Sequence, residues 1–173
     1  MAIHPIRIAG DPVLSTKAKR VRTIDASILR LLDDMVDTMR AAPGVGLAAP
    51  QIGVSLRVVV IETPDDGLIS LVNPEIVKVS GERYITEGCL SVPGYQAEVR
   101  RSRQVTVKAL DRDGRDVRIK AVDTLLAQAL EHEINHTNGI LYIDALTADD
   151  ELIPIRPSVD DNEDRVEAEG TIA

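Results

Sequence analysis

The chain has 173 residues, 44% of them hydrophobic, with a net charge of −8; this is enough for one core and argues against a nucleic-acid-binding role. With no Phe or Trp, the core must rest on Leu, Ile, Val and Ala; with one Cys, no intrachain disulfide is open to it, which fits a reducing compartment. No signal pattern, internal repeat or apolar run of membrane length is found, so the expectation is a soluble, cytoplasmic protein without membrane contact.

From the N-terminus, Ile28, Leu31, Leu32, Met35 and Met39 recur at helical spacing and predict a first helix over about 25–42. Residues 44–51, Gly-Val-Gly-Leu-Ala-Ala-Pro-Gln, then read as a loop leading to a strand. Its small residues either merely allow close packing or present a backbone strip lining a cleft, with the Gln51 amide aimed at a reacting group. Strands are expected at 56–61, 68–72, 75–80 and 83–86. Glu87-Gly88-Cys89-Leu90-Ser91 follows, before a turn signal at Val92-Pro93-Gly94. Strands at 103–110 and 115–121 flank Asp111-Arg112-Asp113-Gly114, a hairpin signal. A second helix begins with Asp123 or Thr124 as N-cap and stops at Asn138-Gly139. Residues 158–173 hold six acids and one arginine after Pro154 and Pro157. One domain over 1–157 with an acidic, disordered tail over 158–173 is therefore expected. Two helices with short, mostly hairpin-connected strands make the fold class α+β, with mostly antiparallel strands packed around the second helix.

That second helix carries His132-Glu133-Ile134-Asn135-His136. Residues four apart on a helix lie about 40° apart around its axis, so both imidazoles can address one ion, with Glu133 beside them. A pair of surface histidines on an ordinary amphipathic helix would share this spacing. The helical wheel argues otherwise. Leu125, Ala129, His132, Glu133 and His136 share one sector, Leu126, Leu130, Ile134 and Thr137 the next, and Gln128, Glu131 and Asn135 remain on a narrow polar stripe. The histidines thus belong to the buried side, where a metal would give each a partner. Cys89 is the candidate third ligand, although a lone cysteine is more often a small buried hydrophobe. Gly88 before it lets the backbone approach a neighbour closely. A thiolate and two imidazoles leave the fourth tetrahedral position open, the arrangement of a catalytic site.

In this order and spacing, residues 44–51, 87–91 and 132–136 resemble three motifs of the peptide deformylase family: Gly-x-Gly-Leu-Ala-Ala-x-Gln, Glu-Gly-Cys-Leu-Ser and His-Glu-x-x-His. The stretch from Pro5 to Leu14 also looks like the family's start, and the resemblance covers about residues 3–150. It implies a metal-dependent hydrolase that removes the N-formyl group from the N-terminal methionine of new polypeptides, releasing formate. Cys89, His132 and His136 would hold one divalent ion, Fe²⁺ by resemblance, although Zn²⁺, Ni²⁺ and Co²⁺ also suit this donor set. Glu133 would be general base and then acid, while the Gln51 side chain and the Leu90 backbone amide would stabilise the oxyanion. Gly44, Val45, Gly46, Leu125 and Ala129 would bind substrate, with Val45, Leu125 and Ala129 around the methionine.

The partners implied are N-formylmethionyl peptides, with transient proximity to the ribosome. Some family members dock there through a basic C-terminal helix, for which the acidic tail offers no counterpart. Glu131 and Asn135 stand where the family commonly has Gln and Asp, both expected to face away from the metal. Thr124 replaces a usual Gly, which bears on how the chain enters the helix. Two rivals stand beside this reading: a peptidase of the wider His-Glu-x-x-His group, with Asp144 or Glu151 as third ligand, and a non-catalytic metal-stabilised homologue, which the presence of both Glu133 and Cys89 disfavours.

Overall fold

The structure is a computed structural model describing residues 2–156; the tail expected over 158–173 lies outside the described residues. Helix α1 (Ala26–Ala41) starts where the Asp25 carboxylate accepts hydrogen bonds from the backbone N–H groups of Ser27 and Ile28. Ile28, Leu32, Met35 and Met39 form its buried stripe, as their spacing predicted. The chain continues through β1 (Gly46–Ala48), a 3-10 turn at Ala49–Ile52, β2 (Val58–Thr63), β3 (Gly67–Ser80), β4 (Arg83–Cys89), β5 (Val92–Arg101), β6 (Gln104–Leu110) and β7 (Asp116–Val122). Helix α2 (Leu125–Thr137), a 3-10 turn at Tyr142–Ala145 and β8 (Ile153–Pro154) follow. Pairing is antiparallel in a five-stranded sheet ordered β1-β2-β3-β6-β7 and in a three-stranded sheet ordered β4-β5-β8. The fold is the α+β class that the sequence implied. Among the described residues no helix is long and apolar enough to cross a membrane.

Strand β2 shows how the layers assemble. Its run Val58-Val59-Val60-Ile61 does not alternate because both of its faces are covered. Val58 and Val60 join the apolar stripe of α1, whereas Val59 and Ile61, with Leu71, Val105 and Val107, pack with Leu126, Leu130 and Ile134 of α2. Another side of α2 meets the second sheet, where Glu87, Cys89 and Arg101 reach its histidines.

Several expected boundaries move. The strands predicted at 68–72 and 75–80 are one strand, β3, with a register shift at Asn73-Pro74. Asn73 adopts φ 51°, and its amide accepts from the Val21 N–H and donates to the Val21 carbonyl, so the bulge is held from outside the sheet. The strand predicted to end at 86 runs on to Cys89. Val92-Pro93-Gly94 is not a turn but the start of β5; the reversal falls at Leu90-Ser91, between the paired Cys89 and Val92. Pro93 is tolerated because the register jumps there and β8 joins β5 only from Tyr95 onward. Part of the loop read at 44–51 is strand β1, which pairs with β2.

At the start of α2, Thr124 is the N-cap: its hydroxyl accepts from the Ala127 N–H at 3.2 Å. Asp123 is instead engaged by Arg103. The helix ends at Asn138, and Gly139 takes φ +74°, a left-handed conformation that turns the chain away.

Candidate active site and metal centre

Three elements converge on one point. Cys89 ends β4, and His132 and His136 lie one turn apart on the buried side of α2; their ligand atoms all lie within 4.8 Å of one another. His136 Nε2 is 3.4 Å from Cys89 Sγ and 3.1 Å from His132 Nε2. Asp144, the rival ligand, instead caps the 3-10 turn by accepting from the Leu141 N–H, and Glu151 is exposed.

The opposite nitrogen of His132, Nδ1, is bonded to Glu87 Oε1. Glu87 is itself grasped by the Arg101 guanidinium, whose Nε donates to Oε2 at 2.9 Å and whose second arm donates to Oε1. Gln128 Nε2 donates to Oε2 at 3.2 Å. Desolvation raises the Glu87 carboxyl pKa, but the bonds from Arg101 and His132 outweigh it and pull it down to about 2. Glu87 therefore stays ionised and fixes the ring of His132 with Nε2 toward the cluster. Arg101 and Gln128 were not foreseen as site residues, and Glu87 was seen only as part of a motif. The wheel placed Gln128 and Glu131 on a polar stripe, yet Gln128 is buried and Glu131 accepts from the Ser102 N–H at 2.9 Å. Within that stripe Gln128 reaches Glu87 of β4, while Glu131 and Asn135 are half-buried.

Glu133 is fully buried, and neither of its carboxylate oxygens has a hydrogen-bond partner among the described residues. Burial first, and then the nearby Glu87 charge, raise its pKa well above the usual carboxylate value, with Arg101 opposing. It packs over Gly46 of β1, where a Cβ would stand 2.6 Å from Oε1. Gln51 is also fully buried. Its Oε1 accepts from the Ala48 N–H at 2.9 Å, so its amide nitrogen points at Ser91 Oγ, 3.2 Å away, and at Cys89 Sγ, 3.6 Å away. Leu90 follows Cys89 at the hairpin turn, with its side chain against the α1 cluster.

The residues assigned to substrate are less tightly grouped. Val45 and Ala129 share the apolar cluster between α2 and the five-stranded sheet, and Leu125 is half-buried at the first turn of α2. Gly44 is half-buried, and its N–H donates to the Met39 carbonyl at the end of α1. A separate cleft of about 830 Å³ is lined by Arg101, Ser102, Glu131 and Asn135, but not by the cysteine, the two histidines, Gln51 or Glu133.

The donor set fits a metal ion. Two imidazoles and one sulfur converge, one imidazole is oriented from behind by an ionised carboxylate, and a carboxylate without a partner lies alongside. Burial, together with the charges of Glu133 and Glu87, pushes the Cys89 thiol up to about 12, and a bound cation is the group that would reverse this and stabilise the thiolate.

Comparison with known proteins agrees with this geometry. The family model described as polypeptide deformylase matches residues 3–151. A peptide deformylase of Dehalococcoides mccartyi is 54% identical over 158 residues, spanning 91% of this chain and 94% of its own. The crystal structure of a peptide deformylase from Legionella pneumophila superposes with a TM-score of 0.81 at 51% identity, covering 85% of this chain and 88% of that one. The Ehrlichia chaffeensis enzyme, solved in complex with actinonin, gives 0.83 at 38% identity, covering 86% and 91%. The chain belongs to the polypeptide deformylase family, the metal-dependent hydrolases that remove the N-formyl group from an N-terminal methionine.

Proposed function

We propose that Cys89, His132 and His136 hold one divalent ion, Fe²⁺ in the cell, and that Glu133 is the proton-transferring residue of deformylation. The observation that carries this reading is the buried, unpartnered Glu133 carboxylate beside the three converging donors. When bound, the ion would supply Lewis acidity, which would make the attacking water easier to deprotonate at neutral pH. Glu133, unable to reach bulk solvent and held as a strong base by burial, takes a proton from the attacking water and returns it to the leaving amine. The Gln51 amide N–H group, locked toward the cluster by the Ala48 bond, and the Leu90 N–H bear the charge that develops on the formyl oxygen. Fixed donors of this kind need no reorganisation as the reaction proceeds.

A formyl carbonyl is the least hindered amide carbonyl, so a narrow site selects it by size. Gly44, Val45 and Gly46 line the substrate backbone, and Val45, Leu125 and Ala129 receive the methionine side chain. The substrates are N-formylmethionyl peptides, met in the cytoplasm with transient proximity to the ribosome. Glu133→Ala tests the assignment: it should keep stoichiometric metal and lose roughly 10²- to 10⁴-fold in kcat. Loss of metal instead would make Glu133 a ligand and overturn its role as base.

A further inference from the structure

The ligating helix carries a buried amide that the reaction does not use. Gln128 lies one turn before His132, is 7% exposed, and donates from Nε2 to Glu87 Oε2 at 3.2 Å. The other oxygen of the same carboxylate, Oε1, engages His132 Nδ1. Glu87 thus bridges two residues four apart on α2, one through each oxygen. Arg101 grips both oxygens as well, but from β5, and a guanidinium fork fixes a carboxylate only relative to its own strand. Among the described residues, Gln128 is the donor besides His132 itself that registers Glu87 against the helix carrying the two histidines. Burying a glutamine amide is costly unless its bonds are used, and this bond falls on the group that orients a ligand.

We propose that Gln128 is a positioning residue: it holds the plane of the Glu87 carboxylate along α2 and thereby fixes the ring of His132 toward the metal. The proposal rests on the reading of Cys89, His132 and His136 as the metal ligands. Replacing Gln128 leaves Arg101 on Glu87 and both charges paired, so the fold is retained while the carboxylate is free to tilt and take the imidazole with it.

The test uses the full chain loaded with Co²⁺, comparing wild type with Gln128→Met, which keeps the length of the side chain and removes the donor. Three quantities are read: the visible absorption of the cobalt centre, the rate of Co²⁺ release into excess chelator, and the melting temperature. Removing an outer partner of a metal ligand costs about 10- to 100-fold in affinity. Release from Gln128→Met should therefore be about tenfold faster, with shifted cobalt bands, and Gln128→Lys, which restores a donor, should recover most of the loss. If Gln128→Met does not fold, Gln128→Ala serves as the variant without a donor. Release within twofold of wild type with unchanged bands, whatever the melting temperature does, would reduce Gln128 to a core residue and overturn the proposal. A wild-type protein that shows no cobalt–thiolate band would instead bring down the metal centre itself, and this inference with it.

Discussion

Gly46→Ala is the sharpest probe of the site, because its conflict is with one side chain. A Cβ at this position would lie 2.6 Å from Glu133 Oε1 and 2.9 Å from both Cδ and Cγ, whereas ordinary contact begins at 3.4 Å. Gly46 is not in the left-handed backbone region, so alanine brings no backbone strain there. Relief therefore requires the carboxylate to retreat by about 0.8 Å, the gap between 2.6 and 3.4 Å. Glu133 is fully buried and cannot swing into solvent. A catalytic group misplaced by about 1 Å costs on the order of 10²-fold in rate, which corresponds to about 2.7 kcal/mol of transition-state stabilisation. Overpacking adds about 1–3 kcal/mol of lost stability. The assay is formate release from a formyl-methionyl peptide by the nickel-loaded variant, with metal content measured on the same sample. Full metal occupancy with kcat/KM down about 100-fold is the expected result. A kcat/KM within threefold of wild type at full occupancy would refute the reasoning, since Glu133 would then have no need of its observed position.

Cys89→Ala should lose tight metal binding, read as metal content after gel filtration, because two imidazoles alone are left to hold the ion; a fully loaded, active variant would break the link between the hairpin and the helix. Peroxide should inactivate the iron-loaded enzyme and spare the nickel-loaded one, since only the iron changes oxidation state readily; equal survival in activity and mass measurements would remove the preference for iron. Thr124→Ala, by removing the cap on the Ala127 N–H, should lower stability by about 1 kcal/mol and Tm by roughly 2–4 °C, so an unchanged Tm would show that the cap contributes nothing. Deleting 158–173 should leave Tm and turnover nearly unchanged, and a stability loss above about 2 kcal/mol would contradict the reading of that segment as a solvated tail.

Local chemistry written on single residues was legible. The stripe of α1, an N-cap for α2 at Asp123 or Thr124 (it is Thr124), the Asp111–Gly114 turn and the placing of both histidines on the buried side of α2 all follow from side-chain type and spacing. Features that depend on a distant segment were not. Asn73-Pro74 reads as a break between strands until the Val21 backbone is seen holding the bulge. Strand β5 alternates inward Ala97, Val99 and Arg101 with outward Glu98 and Arg100, but an arginine at an inward position hid the pattern, and it points inward only because Glu87 waits there. Gln128 was set on a polar stripe for the same reason: the wheel knows polarity, and not which neighbour makes burial of a polar group tolerable.

The two-sided burial of β2 has a consequence for fidelity. A strand with one wet face is held in register by its own alternation, since a slip of one residue would turn every apolar side chain outward. Val58-Val59-Val60-Ile61 lacks that safeguard, because each member suits either face. Yet Gly46 lies opposite Ile61, and a one-step slip of β1 along β2 would bring Leu47 or Val45 toward the place of the glycine beneath Glu133. Alignment must come from fixed points outside the run. One is the tight hairpin to β3, where the Thr63 hydroxyl donates to Asp66 and accepts from its N–H, and Gly67 takes φ +71°. Another is the segment before β2, where the Arg57 N–H donates to the Lys19 carbonyl and the Arg57 carbonyl accepts from the Asn73 N–H. The placement of the Glu133 carboxylate is thus indexed by a surface turn and a backbone clasp that never touch it.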